Sequence, residues 1–342
     1  MKKRSESTLL DGATARVCAR EFQRATGRDA RQVEKERLKA RILDAHGRVR
    51  DEFLVERPCP TCAATERALL FAKGGVDYER CRACGLIYVA RYVSHEGRRK
   101  TWAEERPTST FYLSPMQRDF DVPKFRHGAQ LLVRHGLEGA PVLDVGTASG
   151  LFLEVLRDER VRGVGIEALE GFYAEAHRES GLDVRYGTLE SLAFDAESFG
   201  AVTFWDCLEH VIDPAAALDQ SRELLVPGGL LLVLVPNAGS LAARVMRERC
   251  AMFDGVEHIN MYTPRTLRES VEARGFRLLH EETIIPEINV LNNYLDYEDP
   301  YTGPSAELER VLGLAELDGE FLKKKLLGYK LLALFGPAES GK

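Results

Sequence analysis

The chain has 342 residues, 44% of them hydrophobic and 29% charged, which supplies a sizeable core and suits two domains better than one. Its net charge of -6 and sequence pI of about 5.9 speak against a protein that lives by gripping phosphate backbones. No apolar run reaches the ~18 residues a membrane span needs. The start Met1-Lys2-Lys3-Arg4 also lacks the apolar stretch of a secretion signal, so the expected compartment is the cytoplasm.

Residues 1–57 read as a charged helical arm. Residues 1–58 hold about fifteen Lys/Arg against about ten Asp/Glu, and apolar positions are sparse in stretches such as Gln32–Leu43. The expectation is a solvated helix, with a partner-binding or dimerising arm as the alternative.

Residues 58–90 carry two Cys-x2-Cys knuckles, Cys59-Pro60-Thr61-Cys62 and Cys81-Arg82-Ala83-Cys84, separated by 18 residues. Four thiolates at this spacing form a tetrahedron suited to zinc, and the set is closed, which marks a structural rather than a catalytic ion. Gly85 is the expected turn residue after the second knuckle, and so small a module needs its metal to fold. Cys18, Cys207 and Cys250 are scattered, and a disulfide framework is not expected in a reducing compartment.

Residues 91–139 read as a linker with the basic run Gly97-Arg98-Arg99-Lys100 and a helix from about Pro123 to His135. From Pro141 onward short apolar strands alternate with helical segments: Val142–Val145, Gly163–Ile166, Val184–Tyr186, Ala201–Trp205 and Leu230–Val235. That alternation implies a parallel sheet with right-handed crossovers, a doubly wound α/β fold, over residues 140–285. Residues 286–342 are expected to form a helical cap, with helix around Phe321–Leu327.

The first strand runs into Asp144-Val145-Gly146-Thr147-Ala148-Ser149-Gly150. Gly146 permits a tight turn off the strand and Gly150 lets a helix start close to a ligand, whose polar groups would meet backbone amides. Glu167 ends the second strand about 20 residues on, where a carboxylate can accept both hydroxyls of a ribose. Two further elements follow, Trp205-Asp206-Cys207-Leu208-Glu209-His210 and the leucine-rich helix closed by Pro227-Gly228-Gly229.

Taken in this order, the four elements resemble the class I S-adenosylmethionine-dependent methyltransferases over roughly residues 125–285. Ala148 stands where that family usually has the middle glycine of its loop. The resemblance implies a mostly parallel, Rossmann-like sheet of seven strands and S-adenosylmethionine as cofactor. It places Asp144 and Gly146 beside the methionine moiety, with Thr147 and Gly150 also among the cofactor-binding residues. Glu167 falls on the ribose, Thr188 and Leu189 border the adenine, and Trp205 and Asp206 line the methionine end. The cysteine module, followed by Leu86-Ile87-Tyr88-Val89, is similar to the zinc heads of small-molecule methyltransferases such as deoxysugar C-methyltransferases. Some ribosomal RNA methyltransferases carry a zinc module as well.

Methyl transfer needs positioning above all, and a general base only when the acceptor holds its proton. His258, in Glu257-His258-Ile259-Asn260-Met261-Tyr262, is the candidate base, with Glu257 beside it. The alternative for His258 is a structural cap on the next helix. His210 is the second candidate. Cys207 reads as a buried, inert thiol. Asn292, Asn293, Tyr294 and Tyr297 line an acceptor pocket or close the sheet edge. The leading reading is transfer to a small molecule: a sugar, an envelope glycan precursor or a natural-product intermediate. RNA methylation and a non-catalytic scaffold are the alternatives.

Overall fold

A computed structural model describes residues 28–101, 114–137, 139–178, 181–284 and 319–338. A seven-stranded sheet forms the larger layer. Five of its strands are parallel neighbours: β6 (Val142–Val145), β7 (Gly163–Glu167), β8 (Asp183–Tyr186), β9 (Phe199–Trp205) and β10 (Leu225–Pro236). β12 (Phe276–Ile284) and β13 (Lys330–Pro337) complete it in antiparallel fashion. The order is β12-β13-β10-β9-β6-β7-β8. β7 and β8 extend from β6 to one side and β9 and β10 to the other. The order therefore reverses between β6 and β9, and a cleft opens at their carboxyl ends.

The central strands are mostly apolar because helices cover both faces. On one face, α3 (Pro115–Arg134) and α4 (Leu151–Asp158) bury Leu132, Phe152 and Leu156 against Trp205, Leu232 and Leu334. On the other, α6 (Pro214–Leu224) and α8 (Pro264–Glu272) set Leu218, Leu267 and Val271 against Val202, Leu231 and Val233. α5 (Glu170–Arg178) joins β7 to β8, and α7 (Leu241–Met246) follows β10.

The cysteine module holds β2 (Arg67–Lys73), β3 (Val76–Cys81) and β4 (Ile87–Tyr88). Its sheet is completed by β11 (Asn260–Met261), which pairs with β4 across a long sequence separation, Asn260 opposite Tyr88. Leu86, Tyr88 and both buried cysteines, Cys59 and Cys81, share one core with Val235, Tyr262 and Leu267. The module is thus packed into the larger layer.

Several sequence expectations need correction. α1 (Arg28–Lys39) is docked rather than solvated: Leu38 is 4% exposed, and Ile42 beyond it is fully buried. The stretch read as linker contributes β5 (Arg91–Val93), which pairs with β1 (Leu54–Glu56), and α2 (His95–Thr101). α3 starts eight residues before the expected Pro123, because Ser114 caps its first turn and Pro115 fits the first helical position. Past residue 285 the described chain is not merely a helical cap. After the short α9 (Gly319–Lys324), β13 enters the sheet between β10 and β12, so the boundary at 285 does not part the domain. Asn292, Asn293, Tyr294 and Tyr297 lie outside the described residues.

Candidate functional site

The loop off β6 has the conformation its glycines suggest. Gly146 (φ 76°) and Gly150 (φ 80°) are left-handed, and Gly150 is the residue before α4. A Cβ at Gly146 would come within 2.7 Å of Cys207 Sγ, so the loops leaving β6 and β9 touch across the reversal point. Ala148 is also left-handed, at φ 48°. The family's middle glycine is therefore replaced without a change of backbone, at a strain of about 1–2 kcal/mol.

Glu167 is 6% exposed at the end of β7. Its two carboxylate oxygens accept from the amides of Ala148, 2.9 Å, and Leu169, 2.8 Å, which ties the end of β7 to the glycine loop. Each oxygen keeps a second lone pair for a hydroxyl donor. Asp144 is buried between strands and accepts from Thr203 Oγ1 at 2.7 Å; burial raises its acid to about 6. Thr147 is buried beside it. Thr188 is exposed and trades hydrogen bonds with Ser191 in a tight turn, while Leu189 faces the core.

Trp205 points away from the cleft. Its indole packs edge-on to Phe125, ring centroids 4.9 Å apart, and against Phe152 at 5.1 Å. Only a glycine fits beneath it, since a Cβ at Gly128 would lie 2.5 Å from the ring. Asp206 does enter the cleft. It is left-handed at φ 50°, an uncommon conformation for a non-glycine residue and one concentrated at working sites. Lys330 Nζ donates to its carboxylate at 2.5 Å and Lys124 lies at 4.0 Å, itself paired with Asp121 at 2.7 Å. The two lysines hold the Asp206 carboxyl below its ordinary value against the opposing cost of burial. Gln117, Asp121 and Lys124 reach this corner because spacings of four and three put them on one face of α3.

Sequence reasoning missed Lys124 and Lys330. For Lys330 no local signal exists, as its strand lies more than a hundred residues beyond Asp206. It also missed Glu209, although Glu209 precedes the named His210. Glu209 is completely buried, and neither carboxylate oxygen has a hydrogen-bond partner. Burial, then the charge of Asp206, pushes it up to about 8, so it keeps its proton at neutral pH.

An oxygen of Glu209 and ring nitrogens of His210 and His258 lie within 4.8 Å of one another. His258 Nδ1 bonds the Met252 carbonyl at 2.6 Å, and His210 Nδ1 bonds the Glu257 carbonyl at 3.0 Å. A carbonyl only accepts, so both Nδ1 atoms carry hydrogen, and in the neutral form of either ring the lone pair is on Nε2. The rings meet edge to face with centroids 4.7 Å apart. Burial, then the neighbouring His258, lowers His210 to about 4. The Glu257 carboxylate turns the other way, onto Lys35 at 2.7 Å, so it is not a partner of the His258 ring. Nor is His258 the cap of α8: that place belongs to Thr263, in a reciprocal capping box with Thr266.

The four knuckle cysteines are brought together. Cys59 and Cys84 sulfurs are 3.5 Å apart, as are Cys62 and Cys81, and all four lie within 4.8 Å. A zinc–thiolate tetrahedron has edges of about 3.8 Å, which this set accommodates. Gly85 turns the second knuckle at φ 80°. α8 braces both knuckles, through Arg265 to the Cys84 carbonyl at 3.0 Å and Ser270 to Thr61 at 3.1 Å.

A family described as methyltransferase domain matches residues 118–281. Residues 118–281 thus carry a methyltransferase domain. Among curated relatives, the ubiquinone biosynthesis O-methyltransferase of Dinoroseobacter shibae is 30% identical over 162 residues, 45% of this chain and 62% of that protein. The protein of the same description from Cereibacter sphaeroides is 40% identical over 105 residues, 29% of this chain and 42% of that one. The chain thus matches about three-fifths or less of the length of these relatives. A solved S-adenosylmethionine-dependent methyltransferase from Archaeoglobus fulgidus superposes with a TM-score of 0.45 at 17% identity, covering 63% of this chain and 94% of that one.

Proposed function

We propose that the protein transfers a methyl group from S-adenosylmethionine to a small-molecule acceptor, with His258 taking the acceptor's proton. One observation carries the reading. The glycine loop gripped by Glu167 stands across the reversal point from the loop that bears Asp206, Glu209 and His210, and His258 meets that second loop.

The cofactor supplies an electrophilic methyl group on a sulfonium. Glu167 would hold its ribose, and Gly146, Thr147 and Gly150 would leave room for its methionine arm below Asp206. By the family resemblance Thr188 and Leu189 would border its adenine. On the acceptor side, His258 Nε2 is free to accept a proton because Nδ1 is committed to Met252. Glu209, protonated and therefore uncharged, lies beside the two rings without adding a negative charge to the cluster. Cys59, Cys62, Cys81 and Cys84 would hold a structural zinc, closed to substrate by its fourth thiolate.

The lining bears on the acceptor class. Glu209 is protonated, Asp206 is paired with Lys330, and Asp254 and Glu257 face Lys35, so the charges around the histidines are largely offset within the protein. Such a lining suits a neutral hydroxylated molecule and, among the described residues, offers no unpaired cation to the phosphates of a polyanion such as RNA. The two relatives described above are named ubiquinone biosynthesis O-methyltransferases, which agrees with an oxygen acceptor.

The test is to incubate the protein with a small-molecule cell extract and deuteriomethyl-labelled cofactor, and to find the labelled product by mass spectrometry. His258→Ala should lower the rate of label transfer by roughly 10²-fold while leaving S-adenosylhomocysteine affinity within twofold. Label appearing only in RNA, or a His258→Ala protein with native turnover, contradicts the reading. A rate abolished by a chelator that leaves the thiolate-bound zinc in place would assign Glu209, His210 and His258 to a cation instead.

A further inference from the structure

The segment between α7 and β11 that ends in His258 has little regular structure of its own. Its shape is imposed from two sides. From within, Asp254 Oδ1 accepts from the amides of Val256 at 3.1 Å, Glu257 at 2.9 Å and His258 at 3.1 Å, which winds the segment around one carboxylate. From outside, the amino-terminal part of the chain grips it at four points. Tyr78 on β3 is fully buried; its hydroxyl donates to the His258 carbonyl at 2.9 Å and accepts from the Gly255 amide at 3.0 Å. Lys35 on α1 reaches Glu257 at 2.7 Å and Asp254 Oδ2 at 3.6 Å. Lys39 donates to the Asp254 carbonyl at 3.5 Å, and Lys73 on β2 to the Cys250 carbonyl at 2.8 Å.

We propose that the amino-terminal arm and cysteine module act as a clamp on the His258 segment, with Lys35 and Tyr78 as its positioning residues. The proposal rests on the reading of His258 as proton acceptor. Asp254 and Glu257 place two carboxylates three residues apart in a largely buried segment; Lys35 is ion-paired with both, and the buried Arg98 guanidinium adds a longer-range attraction to each. Without Lys35 the two charges repel, and the carboxylate that organises three backbone amides is pulled out of register. The His258 ring then loses the geometry of its bond to Met252, which fixes where its lone pair points. Tyr78 acts on the same residue by a different route, through the backbone carbonyl of His258 itself. A shift of about 1 Å at a reacting group costs up to ~10²-fold in rate. The clamp also gives the cysteine module a task other than contacting the acceptor. Its strand β3 runs from Tyr78 to the ligand Cys81, so the metal cluster and the loop contact are three residues apart on one strand.

The experiment uses the full-length, zinc-loaded protein as Lys35→Met, Lys35→Arg and Tyr78→Phe variants. Three quantities are read: the rate of S-adenosylhomocysteine formation in the small-molecule extract, the affinity for S-adenosylhomocysteine by calorimetry, and the ¹⁵N signals of the His258 ring. Lys35→Met should lower the rate about tenfold with cofactor-product affinity within twofold, and should turn a single Nδ1-protonated tautomer into an average of two. Tyr78→Phe should act in the same direction, and Lys35→Arg should restore rate and tautomer. A Lys35→Met protein with native rate and native His258 signals overturns the clamp. So does one that loses rate and cofactor-product affinity in step, since that is general destabilisation. If His258→Ala turns over normally, the proton-acceptor reading falls. The ring signals, which need no acceptor, then still decide whether Lys35 sets His258.

Discussion

The two ends of the cleft are put together in opposite ways. At the proposed cofactor end, Asp144, the glycine loop and Glu167 lie within one strand–helix–strand unit, and the bond from Glu167 to the Ala148 amide closes it locally. At the proposed acceptor end, the surroundings of His258 come from α1, β3, the turn after β9 and the loop after α7. A local unit keeps its geometry as long as its own backbone folds. An assembled one depends on distant elements docking, so the same fold can present different acceptor ends above one cofactor end.

That contrast predicts where damage will spread. The largest effect should follow Cys81→Ser. It removes a thiolate from the cluster and, with it, the support of β3 under Tyr78. We expect loss of about one zinc per chain and of order 4 kcal/mol or more of stability, read by metal analysis and denaturant unfolding. Turnover should fall further than S-adenosylhomocysteine affinity. Equal losses of both would mean that the two ends are not separately built.

Glu209 gives a smaller, pH-dependent effect confined to the acceptor end. Burial raises its folded value from the ordinary 4.5 to about 8. Between those values the folded protein keeps a proton that the unfolded chain has released, so its contribution to stability declines as pH rises across that window. Glu209→Gln cannot ionise. It should therefore melt several degrees above the parent protein at pH 8 and nearly with it at pH 5. A melting difference that is the same at both values would show that Glu209 does not hold its proton.

The smallest effect belongs to the cofactor end. Ala148 pays the left-handed strain that a glycine would avoid, while glycine adds flexibility to the unfolded chain. The two nearly offset. Ala148→Gly should shift stability by no more than about 1 kcal/mol and leave S-adenosylhomocysteine affinity within twofold. A large gain in affinity would show that the alanine narrows the loop.

The same division explains what could be read in advance. The five parallel strands, the glycine loop, Glu167 and the two cysteine knuckles each announce themselves within a few residues, through periodicity, turn chemistry or ligand spacing. β13 did not, because its partners β10 and β12 are far away in sequence and only the closed sheet shows that its apolar run lies inside. Trp205 was legible as a residue at a strand end, but not in its direction: the glycine that admits its ring sits on α3, at Gly128. Glu257 looked like the natural partner of His258 because it is adjacent, yet Lys35 takes its carboxylate. Adjacency along a loop says little about which way two successive side chains point. Lys124 and Lys330 became visible only where Asp206 drew them together.

The most direct measurement of the central claim is thermal unfolding of the protein with and without S-adenosylhomocysteine. A ligand that binds only the native state stabilises it by about 2.7 kcal/mol at a hundredfold excess over its Kd. The melting temperature should rise with ligand concentration on that curve, and Glu167→Ala should lose most of the gain. A protein stabilised by nicotinamide adenine dinucleotide and indifferent to S-adenosylhomocysteine would contradict the account.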